Sequence, residues 1–260
     1  MVLQGMSWTE LKREIERDHE KITGSSTLHR FIYEYHQERE KKKVKPASEH
    51  IVFRHFKTNS KNTWFAMIRK SPESEVFRGP DDIRLACFLY YRDHESFRVI
   101  FRSGGGILNV FNGHVFKRYR ERMGLEIDDP KKVIEHYFER NPDMNFCAMP
   151  IRDGYQQVIG MIPDGFLLGE AVTLEAIFLN KTFISTQTAN QFHQQMLLEL
   201  EATLLTGMLR EDGTLVEDMV SRAASYKMAG FSADISSTEM IRKRLKELRI
   251  SDNIGPLIQI

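Results

Sequence analysis

The chain has 260 residues, of which 41% are hydrophobic and 28% are charged, a composition typical of a globular protein that can bury a sizeable core. No apolar run approaches the roughly 20 residues needed to span a bilayer. The charged, helix-patterned first 25 residues do not match a secretory signal peptide. We therefore expect a cytoplasmic protein with no membrane partner.

The net charge of +1 hides an uneven distribution along the chain. Residues 25–70 carry 11 Lys and Arg against 4 Asp and Glu, and residues 84–122 carry 8 against 3. Residues 123–260 reverse the balance, with 13 against 20. A basic first half permits binding of a polyanion. A solvated surface with chance clustering of charge explains the same pattern equally well.

The first half of the chain predicts two helices followed by a meander. Residues 7–22 form the first helix, with Ser7 and Glu10 at the spacing of a capping box, and residues 27–43 form the second. Four strand candidates follow: Ile51–Lys57, Thr63–Lys70, Ile83–Arg92 and Ser96–Arg102. Their short connections imply antiparallel pairing. Four basic side chains could line one face of this sheet: Arg54, Arg69, Arg98 and Arg102.

The second half begins with a joint at Gly104–Gly106, which lacks the sequence of a phosphate-binding loop. A helix is predicted over Gly113–Gly124, and Asp129 with Pro130 favours the start of another. The next strand candidates are Asn145–Met149, Tyr155–Ile162, Phe166–Glu170 and Val172–Leu179, with a further extended piece at Lys181–Ser185. A long helix over Thr188–Met208 and a helical tail over 214–249 complete the prediction.

These elements indicate an α+β fold with antiparallel sheet units and packed helices. The chain divides into an N-terminal helical region (1–46), a β meander (47–103), a helix-helix-sheet unit (107–186) and a C-terminal helical region (187–260). Cys87 and Cys147 lie in apolar runs and are interpreted as buried free thiols. There is no HExxH motif and no Cys/His ligand spacing, so we expect no metal and no other cofactor.

The helix at 113–124 carries the densest run of chemically capable side chains. On a helical wheel His114, Arg118 and Arg122 fall within about 80° of one another, and three apolar side chains fall nearly opposite: Phe116, Tyr119 and Met123. Histidine transfers protons near neutral pH, and guanidinium groups bind phosphate. This set suits cleavage of a phosphodiester without a metal ion. The alternative is a solvated face on which Glu121 forms ordinary ion pairs.

The order His-x3-Arg-x3-Arg in HVFKRYRER, followed by Gly124-Leu125, a short helix and four predicted strands, resembles the barnase/EndoU/colicin/RelE-like group of metal-independent ribonucleases. The resemblance covers residues 107–186. It implies a cleft with four catalytic residues, which are His114, Arg118, Arg122 and Thr182. The expected substrate-binding residues are Lys117, Arg98, Arg102 and Ser185. Members of this group are usually small toxins, and the N-terminal meander and C-terminal helices depart from that pattern.

Two of these residues also have structural interpretations. Ser185 could cap the helix that follows it, and Thr182 could be an ordinary strand residue. The leading hypothesis is an RNA-binding or RNA-processing protein with metal-independent endoribonuclease activity that leaves a 2′,3′-cyclic phosphate. The alternative is a non-catalytic module that binds protein or nucleic acid through residues 25–70 and the helical ends. A structural or regulatory protein without a small ligand is a third reading.

Overall fold

The computed structural model describes residues 2, 5–42, 50–70, 83–93, 96–103, 106–142, 144–148, 151, 156–172, 176–186, 198, 201–202, 204–210, 212–216 and 235–248. The chain forms two compact units. Unit 1 comprises Met1–His114 and Val172–Leu179, and unit 2 comprises Val115–Ala171 and Asn180–Ile260. No helix in the described part of the chain is both long enough and apolar enough to cross a membrane. The α+β class is confirmed, with antiparallel strand pairs and helices in the same chain.

Unit 1 begins with helices α1 (Trp8–Thr23) and α2 (Ser26–Lys41). The predicted capping box is present: the Ser7 hydroxyl accepts from the Glu10 amide, and the Glu10 carboxylate accepts from the Ser7 amide at 2.8 Å. Gly24 ends α1 and Ser25 precedes α2. Both helix predictions therefore agree with the structure to within about two residues at each end.

The strands of unit 1 are β1 (Val52–Lys57), β2 (Thr63–Lys70), β3 (Ile83–Asp93), β4 (Ser96–Arg102) and β5 (Leu108–Asn112). Each pairs antiparallel with the next, as the predicted meander requires. Strand β5 was not predicted. It lies between β4 and the start of a ninth strand, where the Leu108 amide donates to the Ala176 carbonyl at 3.0 Å.

The register shows that the four arginines do not share one face of this sheet. Arg54 is opposite Ala66 on β1–β2, whereas Arg69 is opposite Arg84 on β2–β3. Since side chains alternate along a strand, Arg69 lies on the other face from Ala66 and therefore from Arg54. Arg54 is also neutralised, because its guanidinium pairs with Glu34 and Glu38 of α2. The prediction of a single basic face was wrong.

One face of this sheet packs against α1 and α2. The shared core contains helix residues Leu11, Ile15 and Phe31 and strand residues Trp64, Ile68, Leu89, Ile100 and Val110. The other face carries aromatic rings in contact from strand to strand. Phe65 stacks on Phe88 with centroids 4.8 Å apart, Phe88 meets Phe101 at 5.5 Å, and Phe101 meets Phe111 at 6.0 Å. Strand pairing therefore aligns rings as well as backbone.

Unit 2 contains α3, which spans Gly113–Arg122 with its first two residues in unit 1, and α4 (Pro130–Arg140). Asp129 caps α4 by accepting from the Lys131 amide at 2.9 Å, which confirms the predicted start. Gly124 follows α3 with φ +63°, a left-handed conformation that suits a residue just past a helix end. The strands are β6 (Asn145–Ala148), β7 (Gln157–Ile162), β8 (Gly165–Val172) and β9 (Ile177–Ser185), in the order β9-β8-β7-β6.

The predicted strand Val172–Leu179 is wrong. Val172 ends β8, and β9 begins at Ile177 and continues to Ser185, so the piece at Lys181–Ser185 is not a separate element. Ala176 precedes β9 with φ +52°, a left-handed conformation that interrupts an extended run. Residues Ile177–Leu179 of β9 belong to unit 1 and residues 180–185 belong to unit 2.

The C-terminal part of unit 2 has a small core of its own. Leu205, Met208 and Ile241 are buried in it, and a bidentate ion pair joins Glu201 to Arg244 of helix α5 (Thr238–Glu247). Residues 214–216 are not helical, because Leu215 forms a β-bridge with Leu209. Most of the predicted helix Thr188–Met208, residues 217–234 of the predicted tail, Gly104, Gly105 and the Cys147 side chain lie outside the described residues.

Candidate phosphate-binding site on helix α3

Helix α3 is held on its apolar side by aromatic contacts within unit 2. Phe116 and Tyr119 are 1% and 0% exposed. The Phe116 ring meets the Tyr137 ring of α4 edge-on with centroids 5.3 Å apart, and the Tyr119 ring meets Phe183 of β9 at 5.1 Å. Edge-on aromatic pairs fix ring orientation as well as burying area. The buried side of this helix is therefore the one that its sequence periodicity predicts.

A buried carboxylate then ties α3 to α4 and to the β7–β8 turn. Asp164 lies in that turn and is 8% exposed. Its Oδ2 accepts from the Tyr119 hydroxyl at 2.7 Å and from Asn141 Nδ2 at 3.1 Å. Its Oδ1 accepts from Arg140 Nη2 at 2.9 Å. The Asp164 amide in turn donates to Asn141 Oδ1 at 3.0 Å, so one residue joins three elements of the unit.

These contacts decide the protonation states in the cluster. Burial opposes ionisation of Asp164, but hydrogen bonds from Arg140 and Tyr119 outweigh it and lower the pKa of this carboxyl below its ordinary value. Burial, together with the hydrogen bond to Asp164, raises the pKa of the Tyr119 hydroxyl. Asp164 is therefore ionised and Tyr119 is neutral at physiological pH. A neutral phenol that is held as a donor orients a helix and is not a nucleophile.

The turn that carries Asp164 also fits closely against β9. A side chain in place of Gly165 would collide with the Ile184 carbonyl oxygen and would lie 2.9 Å from the Ser185 Cα. Such distances are not tolerated, so this approach of two backbones requires glycine. Together with the Asp164 contacts, this packing holds α3 in one position on unit 2.

The opposite side of α3 carries charged groups. His114, Lys117, Arg118 and Glu121 are exposed, and Arg122 is half-buried. Arg118 Nη1 lies 3.0 Å from Glu121 Oε2, and the two side chains are 44% and 38% exposed. Arg122 instead donates from Nη1 to the Phe183 carbonyl of β9. One arginine of the pair is thus a solvated surface group, and the other is anchored to the sheet.

Arg118 and Arg122 interact electrostatically within unit 2. Burial and the positive charge of Arg118 lower the pKa of the Arg122 guanidinium from its ordinary value, with partial compensation from Glu121. The charge of each guanidinium therefore disfavours the charge of the other, and an anion bound near them would offset this effect. Guanidinium groups suit phosphate because their planar N–H donors match its oxygens.

The side chains of Thr182 and Ser185 lie on different faces of β9. Phe183 faces Tyr119 of α3, and successive side chains of a strand point to opposite faces. Thr182 is therefore directed away from the face of β9 that α3 covers, whereas Ser185 shares the face of Phe183. Ser185 is 2% exposed. The helix that Ser185 was expected to cap lies outside the described residues.

Arg98 and Arg102 lie in unit 1, on the face of β4 that packs against α1. The Arg98 guanidinium carbon is 5.4 Å from the centroid of the Trp8 ring, and its Nη1 is 3.5 Å from the Tyr91 hydroxyl. Arg102 is exposed and lies near His19. Burial and the charge of Arg102 lower the pKa of His19. The contacts of Arg98 are those of a side chain that covers a core aromatic residue.

The Asp164 cluster was not recognised in the sequence. Its members have ordinary explanations there, because Pro163-Asp164-Gly165 is a turn signal and Asn141-Pro142 is a helix end. Aspartate in a turn is usually exposed, so no pattern indicates that this one is buried. Among the residues that the structure describes, no group of three His, Cys, Asp or Glu side chains could hold a metal ion.

No protein-family model, no curated protein and no solved structure matches the chain.

Proposed function

We propose that the protein binds RNA through phosphate contacts on the exposed side of α3 and cleaves it without a metal ion. The observation that carries the proposal is the pair Arg118 and Arg122, two interacting guanidinium groups on a helix that is fixed to its unit by buried contacts. A rigid support is what a binding residue needs, because it leaves little freedom to be lost on binding. Lys117, exposed on the same helix, adds a further positive charge.

In the proposed reaction His114 transfers the proton. It is exposed and precedes Arg118 by one helical turn. As a base, it takes the proton of the ribose 2′-hydroxyl while that oxygen attacks phosphorus and the bond to the 5′-oxygen breaks. The departing oxygen takes a proton from water, and the product is a 2′,3′-cyclic phosphate. In the converse role His114 protonates the leaving 5′-oxygen, and water takes the proton of the attacking 2′-hydroxyl. The arginines stabilise the charge that builds on the phosphate.

The test is cleavage of single-stranded RNA in the presence of EDTA. We expect His114→Ala to lower the rate by about 10²-fold or more, the usual contribution of a general acid or base. His29→Ala is the matched control, because His29 is an exposed histidine on α2. Wild-type rates in both variants, with folding intact by circular dichroism, would remove His114 from the mechanism.

A second function has its own support. The guanidinium groups of Arg118 and Arg122 already have protein acceptors, in Glu121 and in the Phe183 carbonyl, which favours a non-catalytic role for this surface. The salt dependence of binding distinguishes a surface that binds RNA from one that binds protein. Binding of RNA through phosphates weakens steeply as salt rises, whereas a protein-interaction surface that buries apolar area does not. RNA that is bound but not cut in EDTA leaves the binding role and excludes the catalytic one.

A further inference from the structure

The exposed side of α3 carries the carboxylate of Glu121, which competes with phosphate for Arg118. Glu121 Oε2 lies 3.0 Å from Arg118 Nη1, one turn along the same helix. It is also the acidic group that offsets the effect of Arg118 on Arg122. Its carboxylate therefore sits beside the two positive charges at which an anion would bind. A phosphate that uses Arg118 Nη1 must displace this carboxylate.

We propose that Glu121 limits the affinity of α3 for RNA by occupying Arg118 when no ligand is bound, an inference that rests on the proposed function. The exposure of the pair makes such an exchange easy, because exposed ion pairs are weak and their partners are solvated when they separate. An RNA phosphodiester presents two non-bridging oxygens that accept charge-assisted hydrogen bonds, and it takes the place of the Glu121 carboxylate on Arg118.

Arg122 responds differently to the same ligand. Its guanidinium is held by the Phe183 carbonyl, a neutral acceptor in the main chain of β9. That bond does not compete in charge with a phosphate, and a guanidinium has five N–H donors to share. In the inferred arrangement Arg122 keeps its bond to the Phe183 carbonyl, whereas Arg118 exchanges Glu121 for phosphate.

The experiment measures binding of a fluorescent 2′-O-methyl oligonucleotide in EDTA. This probe keeps the phosphates and lacks the 2′-hydroxyl nucleophile, so it cannot be cut by the proposed route. We expect Glu121→Gln to tighten the dissociation constant by about 1.5-fold to fivefold, the range that loss of an exposed pair allows. Glu126→Gln is the matched control, because it removes the same charge from an exposed position in the same unit.

Arg118→Gln separates the two proposals. If it leaves binding unchanged, the proposed function fails, whatever Glu121 does. If it weakens binding while Glu121→Gln and Glu126→Gln have equal effects, RNA binding stands and the competitor role of Glu121 is overturned. The inference also requires that the double variant Arg118→Gln/Glu121→Gln bind no more tightly than Arg118→Gln alone, because the two residues then act through one contact.

Discussion

Asp18 in unit 1 and Asp164 in unit 2 are both buried, at 0% and 8% exposed, and both have a lowered pKa, yet their environments differ. Asp18 has no cationic partner in the described contacts. Its Oδ2 accepts from three neutral donors, Thr58 Oγ1 at 2.8 Å, Asn62 Nδ2 at 2.7 Å and Trp64 Nε1 at 3.2 Å, and a hydrogen bond from Ser60 also lowers its pKa. Its Oδ1 has no partner among the described residues.

Asp164 uses both oxygens, and one of its donors is the cationic Arg140. Replacement by asparagine should therefore have a different effect at each of the two aspartates. At Asp18, an amide oxygen can keep all three donors while the amide nitrogen takes the unpartnered position. At Asp164, an amide nitrogen faces a donor wherever it points. The comparison shows that the number of oxygens in use decides whether a buried aspartate needs its charge.

The largest effect is expected from Asp18→Ala, which leaves the donors of Asn62 and Trp64 buried without an acceptor. We expect the free energy of unfolding of unit 1 to fall by about 4 kcal/mol, since each buried unsatisfied group costs about 1–3 kcal/mol. Both tryptophans, Trp8 and Trp64, lie in unit 1, so fluorescence during urea unfolding reports on that unit. An unchanged midpoint would mean that these donors find other partners.

The two substitutions by asparagine should destabilise their units to different extents, with the larger loss at Asp164. We expect Asp164→Asn to destabilise unit 2 by about 2 kcal/mol, because it loses the charge contact to Arg140 and opposes two donors. Asp18→Asn should change unit 1 by less than about 1 kcal/mol, since the amide oxygen can keep the three donors to Oδ2 and the amide nitrogen can take the position of Oδ1. Tryptophan fluorescence follows unit 1, and circular dichroism follows the secondary structure of the whole chain, so a loss seen by circular dichroism but not by fluorescence reports on unit 2. Equal losses for the two variants would refute the comparison.

Acid should act on both units through these carboxyls. Each folded-state pKa is lowered, so each aspartate contributes stability at neutral pH that is lost as pH falls below the ordinary carboxyl value of about 4 toward the folded value. The slope can reach about 1.4 kcal/mol per pH unit for each group. The free energy of unfolding should fall less steeply, from neutral to strongly acidic pH, for Asp164→Asn than for the wild type.

The local signals in the sequence predicted the helices well because their causes are local. Ser7 with Glu10 and Asp129 with Pro130 fix helix starts through contacts within one turn. Of the three apolar positions predicted to pack on α3, Phe116 and Tyr119 are buried and Met123 is half-buried, and Val115 is buried as well. Strands β2 and β4 have the predicted bounds, because turn signals flank them in the sequence.

The sequence did not predict the features that depend on contacts between residues far apart in the chain. Residues 108–111 of β5 are all buried, so the strand shows none of the alternation by which β4 was recognised. The break between β8 and β9 depends on the backbone at Ala176, and alanine gives no sign of a positive φ. The burial of Asp164 arises from α3 and α4 closing over a turn, and the face to which Thr182 points depends on which side of β9 is covered. Neither can be obtained from residue order alone.

The contact between Gly165 and β9 has a consequence for how the sequence can vary. Any other residue at position 165 would have to push away the backbone at Ile184 and Ser185. Asp164, the residue that holds α3, is the immediate neighbour of that constraint. A side chain at 165 would therefore disturb the turn and the support of α3 together. Because the close contacts are with backbone atoms, we expect this requirement for glycine to hold whatever side chain stands at 184.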